Sequence, residues 1–147
     1  MSASTARATA PGVTGLHHLS LTVTDLDASL DWYRKVFRAD HNDARFAHYG
    51  REDTGYGVLV TEPRSGLVLG LHTNISNEGE KFSETRTGLD HVSFSVASRS
   101  DLEAWTAWLD ELGVSHTGIR DLKEPFVYST VVFRDPDDIQ LELFALG

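Results

Sequence analysis

The sequence contains no cysteine among its 147 residues. Disulfide bonds, thiolate metal sites and cysteine nucleophiles are therefore excluded. Basic side chains are also scarce, with 13 Lys and Arg against 22 Asp and Glu and a formal net charge of -9. Such a chain lacks the basic excess by which proteins bind a nucleic-acid backbone or an anionic membrane surface, so neither is an expected partner.

Long apolar runs are absent as well. No segment approaches the roughly 20 apolar residues that a membrane-spanning helix needs. Residues 1–14 are rich in Ala, Ser and Thr and lack the apolar stretch of a secretion signal. We therefore expect a disordered tail over 1–14, one domain over 15–147 and a cytoplasmic protein.

An internal repeat is present in the remaining chain. Leu16–Val23 and Leu89–Val96 share one pattern: apolar, any residue, His, apolar, Ser, apolar, Ser or Thr, Val. The shared histidine is His18 in the first copy and His91 in the second. Self-similarity of this kind predicts two copies of one structural module.

Each copy continues with the same series of elements. Asp25 in the first copy, and Ser98 or Ser100 in the second, are helix-start residues that precede apolar residues at helical spacing. In each copy a proline turn then leads into an alternating strand. The extended segments expected after the helices are 43–50, 55–61, 66–72, 114–121, 127–133 and 139–144. The sequence therefore predicts two β-α-β-β-β modules, over 15–72 and 88–147, with 73–87 as a loop or lid.

Alternation along the strands separates apolar side chains, expected under the helices, from polar side chains on the opposite face. A sheet face in contact with water would also be polar, but a histidine at equivalent positions of both copies favours a site. The polar face carries His18, Ser20, Thr22, His91, Ser93, Ser95, Gln140 and Glu142. Of these, Ser20, Thr22, Ser93, Ser95 and Gln140 are predicted to line a pocket without taking part in chemistry.

Two histidines and one carboxylate are sufficient for a divalent metal ion. Imidazole nitrogen and carboxylate oxygen suit Fe(II), Mn(II), Ni(II), Co(II) or Zn(II). Three protein ligands leave coordination positions open for substrate or water, which is typical of a catalytic site.

Three segments together resemble the vicinal oxygen chelate superfamily of glyoxalases, bleomycin-resistance proteins, extradiol dioxygenases and fosfomycin-resistance enzymes. They are 16–33, 89–96 and 133–143, and the last resembles the family's Asp-Pro-Asp-Gly ending with Asp138 in place of Gly. The resemblance implies an α+β fold in which two tandem βαβββ modules form a U-shaped mixed sheet around a metal-binding cleft.

The resemblance also implies site residues. The metal-ligand positions of the family fall on His18, His91 and Glu142. The position that is Glu or Gln in glyoxalases and epimerases falls on Gly70, which cannot bind a metal through a side chain. His72, two residues further on the same strand face, is the candidate for a fourth ligand or an acid–base group.

A second departure concerns a tyrosine. Extradiol enzymes carry it ten residues before the ligand Glu, where this chain has Val132. Tyr128 lies on the same predicted strand face and is therefore the second candidate catalytic residue.

The resemblance implies a metal-dependent enzyme that acts on a small oxygen-rich substrate, with dioxygenase-like chemistry or else isomerase- or lyase-like chemistry of the glyoxalase type. The alternative is a non-catalytic protein of the bleomycin-resistance type, which binds and sequesters a small natural product or drug. A homodimer is implied too, and in some relatives one site takes its two modules from different chains.

Overall fold

A computed structural model describes residues 6–147. Two modules follow each other along the chain, and the α+β fold class predicted from the sequence is confirmed. The elements are β1 (Leu19–Thr22), α1 (Leu26–Phe37), β2 (Asp40–His41), β3 (Phe46–Ala47), β4 (Tyr56–Glu62), β5 (Leu67–His72), β6 (Val92–Ser95), α2 (Arg99–Glu111), β7 (Arg120–Leu122), β8 (Tyr128–Arg134) and β9 (Gln140–Leu146). Module two is βαβββ, and module one has the same order except that two short strands pair with β4 where module two has one. A single 3-10 turn, Glu52–Thr54, precedes β4.

Each module forms its own mixed sheet. In module one the strand order is β1-β5-β4-β2, and β3 also pairs with β4; in module two the order is β6-β9-β8-β7. The first strand of each module runs parallel to the last, and the remaining pairs are antiparallel. Ser20 lies opposite Gly70 in module one, and Ser93 lies opposite Glu142 in module two. Positions 70 and 142 are therefore structurally equivalent.

Both helices begin where the sequence predicts. The Asp25 carboxylate accepts a hydrogen bond from the Ala28 backbone nitrogen, and the Ser98 side chain accepts one from Asp101. Such bonds satisfy backbone donors that the first helical turn leaves free. Of the two serines considered, Ser98 is therefore the N-cap.

The predicted strands over 43–50 and 114–121 are wrong in extent. Within the first, only Phe46–Ala47 is a strand. The Asn42 side chain accepts a hydrogen bond from the Ala44 backbone and holds a turn between this strand and Asp40–His41. Gly50 then turns the chain with a φ of 68°. In the second segment a β-bridge at His116 is separated from β7 by Gly118, whose φ is 74°.

One apolar core lies between the two sheets and includes residues of both modules. The Phe37 ring of α1 packs against Phe94 and Phe133 of module two, with centroids 4.8 and 6.4 Å apart. The Trp108 indole of α2 donates a hydrogen bond to the Val36 carbonyl at 3.0 Å. The helix-covered faces of both sheets thus meet in a common core. The other side of each sheet, called its open face here, points away from the open face of the other module.

A buried turn also joins the modules. The Tyr33 hydroxyl of α1 donates a hydrogen bond of 2.7 Å to Asp135, which also accepts from the backbone nitrogens of Asp137 and Ile139. Burial and the neighbouring carboxylate raise the pKa of Tyr33 well above its usual value. Asp138 has a φ of 64°, the conformation that favours the glycine of the family pattern and that Asp tolerates.

The connection between the modules has neither helix nor strand from residue 73 to 91 and lies against this turn. The Phe82 backbone nitrogen donates to the Asp137 carbonyl at 2.8 Å, and Glu84 forms an ion pair with Arg134 at 2.9 Å. Residues 1–5 of the predicted tail lie outside the described part of the chain, and residues 6–17 are exposed and without helix or strand.

No helix within residues 6–147 is long and apolar enough to cross a membrane.

Candidate metal centre

Module two brings two of the three predicted metal ligands together on its open face. The His91 Nε2 atom and the Glu142 Oε1 atom are 3.7 Å apart. Two ligands of one ion, with metal–ligand bonds of about 2.1 Å and an angle near 90 to 120°, lie roughly 3 to 3.6 Å apart. The pair therefore fits a shared divalent ion with little movement.

Neighbouring side chains orient this pair. The Asp90 Oδ1 atom lies 2.6 Å from His91 Nδ1, and Ser93 donates a hydrogen bond of 2.7 Å to Glu142. A carboxylate at Nδ1 fixes that proton and leaves the lone pair at Nε2, which is the usual arrangement behind a metal-binding histidine.

The third predicted ligand is on the other module. His18 directly precedes β1, and its Nδ1 atom lies 2.9 Å from Nδ1 of His17. Within residues 6–147, no three His, Asp or Glu side chains of one chain form a group that could hold a metal ion. The three predicted ligands of one chain therefore lie in two separate groups, because the open faces of its modules point apart.

His72 lies on the open face of module one, as the sequence predicts, and contacts a second histidine. Its Nδ1 atom is 3.1 Å from Nε2 of His48, and Nδ1 of His48 is 2.6 Å from the Thr54 hydroxyl. Burial lowers the pKa of His72, and the nearby imidazoles of His48 and His18 lower it further. The neutral form that can accept a proton or bind a metal is therefore favoured.

Tyr128 lies on the open face of module two, but four residues along β8 from Val132, which is opposite Glu142. That offset corresponds to about 13 Å along a strand. The Tyr128 ring instead stacks on Phe144, with centroids 5.0 Å apart and planes 12° apart, and contacts Phe126 at 5.1 Å. Its catalytic role stays a prediction, and its observed contacts make it part of an aromatic wall (Phe126, Tyr128 and Phe144).

The predicted pocket residues occupy both open faces. Ser20 and Thr22 are exposed in β1, and Ser93 and Ser95 are exposed in β6. Gln140 differs from them, because its side-chain oxygen accepts a hydrogen bond from Arg134 at 3.0 Å.

Sequence reasoning missed Asp90 and the aromatic wall. An acid directly before a predicted ligand histidine was the available signal for Asp90. For the wall, Phe144 stood alone among polar side chains on its strand face, but its partners in β8 and the preceding loop became visible only in the fold.

Comparison with known proteins gives a consistent result. A family model described as the Glyoxalase/Bleomycin resistance protein/Dioxygenase superfamily matches residues 15–143. The metallothiol transferase FosB of Bacillus licheniformis is 29% identical over 138 residues, which cover 89% of this chain and 75% of FosB.

Solved structures share the fold. A glyoxylase/bleomycin resistance protein/dioxygenase domain from Frankia sp. has a TM-score of 0.78 and 36% identity, over 92% of this chain and 94% of that domain. The fosfomycin resistance protein FosX of Listeria monocytogenes, in complex with Mn(II) and sulfate, has a TM-score of 0.61 and 18% identity over 92% of this chain and 95% of its own.

Proposed function

Because the chain belongs to the glyoxalase/bleomycin resistance protein/dioxygenase superfamily, we propose that it is a metal-dependent enzyme whose metal sites are shared by two copies of the chain. His91 and Glu142 of one copy and His18 of the other would hold one divalent ion. The substrate would be a small molecule that binds this ion through two oxygen atoms.

The proposal is supported by one observation: the candidate ligands lie in two separate groups, one on each module. His91 and Glu142 are oriented by Asp90 and Ser93, and they are 3.7 Å apart on an open face. His18 lies on the open face of the other module, beyond the reach of this pair within one chain. Two chains that place these open faces against each other would complete two equivalent sites.

The residues around the proposed ligands have specific roles in such a site. A bound divalent cation supplies Lewis-acid stabilisation of negative charge on substrate oxygens. Asp90 holds the proton at His91 Nδ1, so the imidazole keeps its Nε2 lone pair directed to the site. Ser93 holds one carboxylate oxygen of Glu142 and limits its rotation.

The aromatic wall favours dioxygenase-like chemistry on an aromatic substrate. Phe144 lies two residues after Glu142 on the same face of β9, and the Tyr128 ring is stacked on it at 5.0 Å. Aromatic rings prefer such offset or edge contacts with other rings. After Glu142, β9 carries no basic side chain that could bind a phosphonate. This feature disfavours a phosphonate substrate.

The same wall supports a second candidate function. A protein that only sequesters an aromatic natural product would also present stacked rings beside polar groups. The two functions differ in the metal, since sequestration does not depend on His18, His91 or Glu142.

Metal titration of the metal-free protein tests the proposal. Mn(II), Co(II), Ni(II), Zn(II) and, without oxygen, Fe(II) are added in turn, and binding is followed by calorimetry while sedimentation measures the oligomeric state. We expect one ion per chain and a dimer. His18→Ala and Glu142→Ala should each weaken binding by at least about 100-fold, since loss of a ligand exceeds the 10- to 100-fold effect of its supporting residues.

His41→Ala is the matched control, because His41 is also in module one but pairs opposite Val60, on the helix-covered side of the sheet. It should leave binding unchanged. Absence of binding for every metal would refute the metal-dependent enzyme, and a His18→Ala variant with the affinity of the natural protein would refute the shared site.

A further inference from the structure

The open face of module one contains more histidine than the proposed site uses. Besides His18, it carries His72 at the end of β5 and His48 just after β3. The two rings are stacked, with centroids 5.2 Å apart and planes 20° apart. His18 directly precedes β1, in which Ser20 lies opposite Gly70 of β5.

Two glycines make space for the His72 ring. Gly57 lies directly opposite His72 in the antiparallel pair of β4 and β5, and a side chain there would overlap the imidazole. At Gly70 a Cβ atom would lie 3.2 Å from His72 Nε2. This nitrogen therefore occupies space above Gly70 that a longer side chain at position 70 would fill.

The hydrogen bonds of His48 and Thr54 determine which nitrogen of His72 carries the proton. The Thr54 hydroxyl donates to the Arg51 carbonyl at 2.7 Å, so it must accept the bond from His48 Nδ1. A neutral His48 then has no proton at Nε2 and accepts from Nδ1 of His72. The remaining nitrogen of His72, Nε2, keeps a free lone pair above Gly70.

Module two carries a candidate metal ligand at the position that is equivalent to Gly70. Glu142 occupies in β9 the place that Gly70 occupies in β5, because both lie opposite the serine of the first strand. Module two thus offers a ligand from its last strand, whereas module one has none at that position. His72 approaches the same place from two residues further along the strand.

We propose that His72 Nε2 is a fourth protein ligand of the metal, in place of a side chain at position 70, and that His48 and Thr54 orient it. The proposal rests on the proposed function, since it needs the site completed by His91 and Glu142 of a second copy. It predicts a donor set of three imidazoles and one carboxylate.

Binding of Co(II) and Cu(II) to the metal-free protein tests this assignment without an activity assay. Co(II) affinity is measured by calorimetry, and the imidazoles coupled to bound Cu(II) are counted by pulsed electron paramagnetic resonance. We expect three coupled imidazoles in the natural protein and two in His72→Ala, together with a roughly 100-fold loss of Co(II) affinity. His48→Ala should cost about 10-fold and keep three imidazoles, as expected for a positioning residue.

A compensating variant separates ligation from an effect on folding. His72→Ala combined with Gly70→Glu places a carboxylate where the imidazole was, after rotation of the Ser20 hydroxyl near that position. It should regain most of the Co(II) affinity with only two coupled imidazoles.

The outcomes separate the two proposals. A natural protein that binds neither metal would defeat the proposed function and this assignment with it. If the natural protein and His72→Ala bind Co(II) with equal affinity and each shows only the two imidazoles of His18 and His91, the proposed function stands and the fourth ligand is refuted.

Discussion

The two modules share one succession of strands and helix but differ in the chemistry of their open faces. Module one presents His18, His48 and His72 above two glycines, whereas module two presents one histidine, Glu142 and an aromatic wall. Their core-facing residues are much more alike, with Leu69 and Leu71 matched by Leu141 and Leu143. Packing against a helix restricts the choice of residue on one side of a strand, while the other side is free to diverge toward a site.

The turns before the last strands differ in the same way. In module one Glu62 closes an accessible turn by accepting hydrogen bonds from the backbone of Arg64 and Ser65. In module two Asp135 is 4% exposed and accepts its third bond from Tyr33 of the other module. Of these two turns, only the second forms a hydrogen bond to the other module.

The largest expected effect concerns these turns. Asp135→Ala leaves the Tyr33 hydroxyl and two backbone donors buried without partners, at a cost of about 3 kcal/mol in unfolding free energy. Glu62→Ala should cost less than about 1 kcal/mol, because water can replace its bonds. Urea unfolding of both variants measures the difference, and equal losses would show that the two turns are equivalent.

The next effect concerns the groups behind the two proposed ligand histidines, His18 and His91. Asp90→Asn keeps an oxygen near His91 Nδ1 but removes the charge, and Co(II) affinity should fall about 10-fold. His17→Ala, the matching change behind His18, should cost less because water can reach the exposed Nδ1 of His18. Calorimetric titration compares them, and a larger loss for His17→Ala would reverse the predicted order.

A smaller effect is expected at the aromatic wall. Phe144→Ala removes the central ring, so affinity of the metal-loaded protein for catechol should fall about 5- to 10-fold, from a stacking contribution of roughly 1 to 1.5 kcal/mol. Affinity for oxalate, which chelates metal without a ring, should stay the same. Tyr49→Ala is the control, since Tyr49 is fully exposed in a turn. If Phe144→Ala loses affinity for catechol and oxalate equally, the aromatic wall does not contribute to substrate selection.

The smallest effect concerns the connection between the modules. The Arg134 guanidinium lowers the pKa of Glu84 to about 2. A carboxyl group with a lowered pKa stabilises the folded state above its unfolded pKa near 4.3, and that contribution disappears as pH falls through about 2. Glu84→Gln should therefore melt slightly below the natural protein at pH 6 and together with it at pH 2. If the difference in melting temperature is the same at pH 6 and pH 2, the effect does not come from the ion pair of Glu84 and Arg134.

The sequence predicts most of the backbone because the features that fix it are local. The repeat around His18 and His91, the caps at Asp25 and Ser98, and strand alternation each depend on a few neighbouring residues. The short strands around Asn42 are harder to predict, since a turn held by the Asn42 side chain interrupts an extended segment there.

The candidate site is harder to predict from the sequence, because it depends on contacts between segments that are distant along the chain. The bond from His72 to His48, the ring of Tyr128 on Phe144 and the bond from Tyr33 to Asp135 join residues that no spacing rule relates. The separation of His18 from His91 depends on how the modules pack, which strand patterns alone do not determine.

The common core between the modules has a genetic consequence. Since it directs the two open faces of a chain apart, each proposed site draws His18 from one copy and Glu142 from the other. A mixed dimer of a His18→Ala chain and a Glu142→Ala chain would then contain one site with both defects and one site with none. Two inactive alleles expressed together would then restore activity: about half of the natural value in each mixed dimer, and about a quarter overall when chains pair at random.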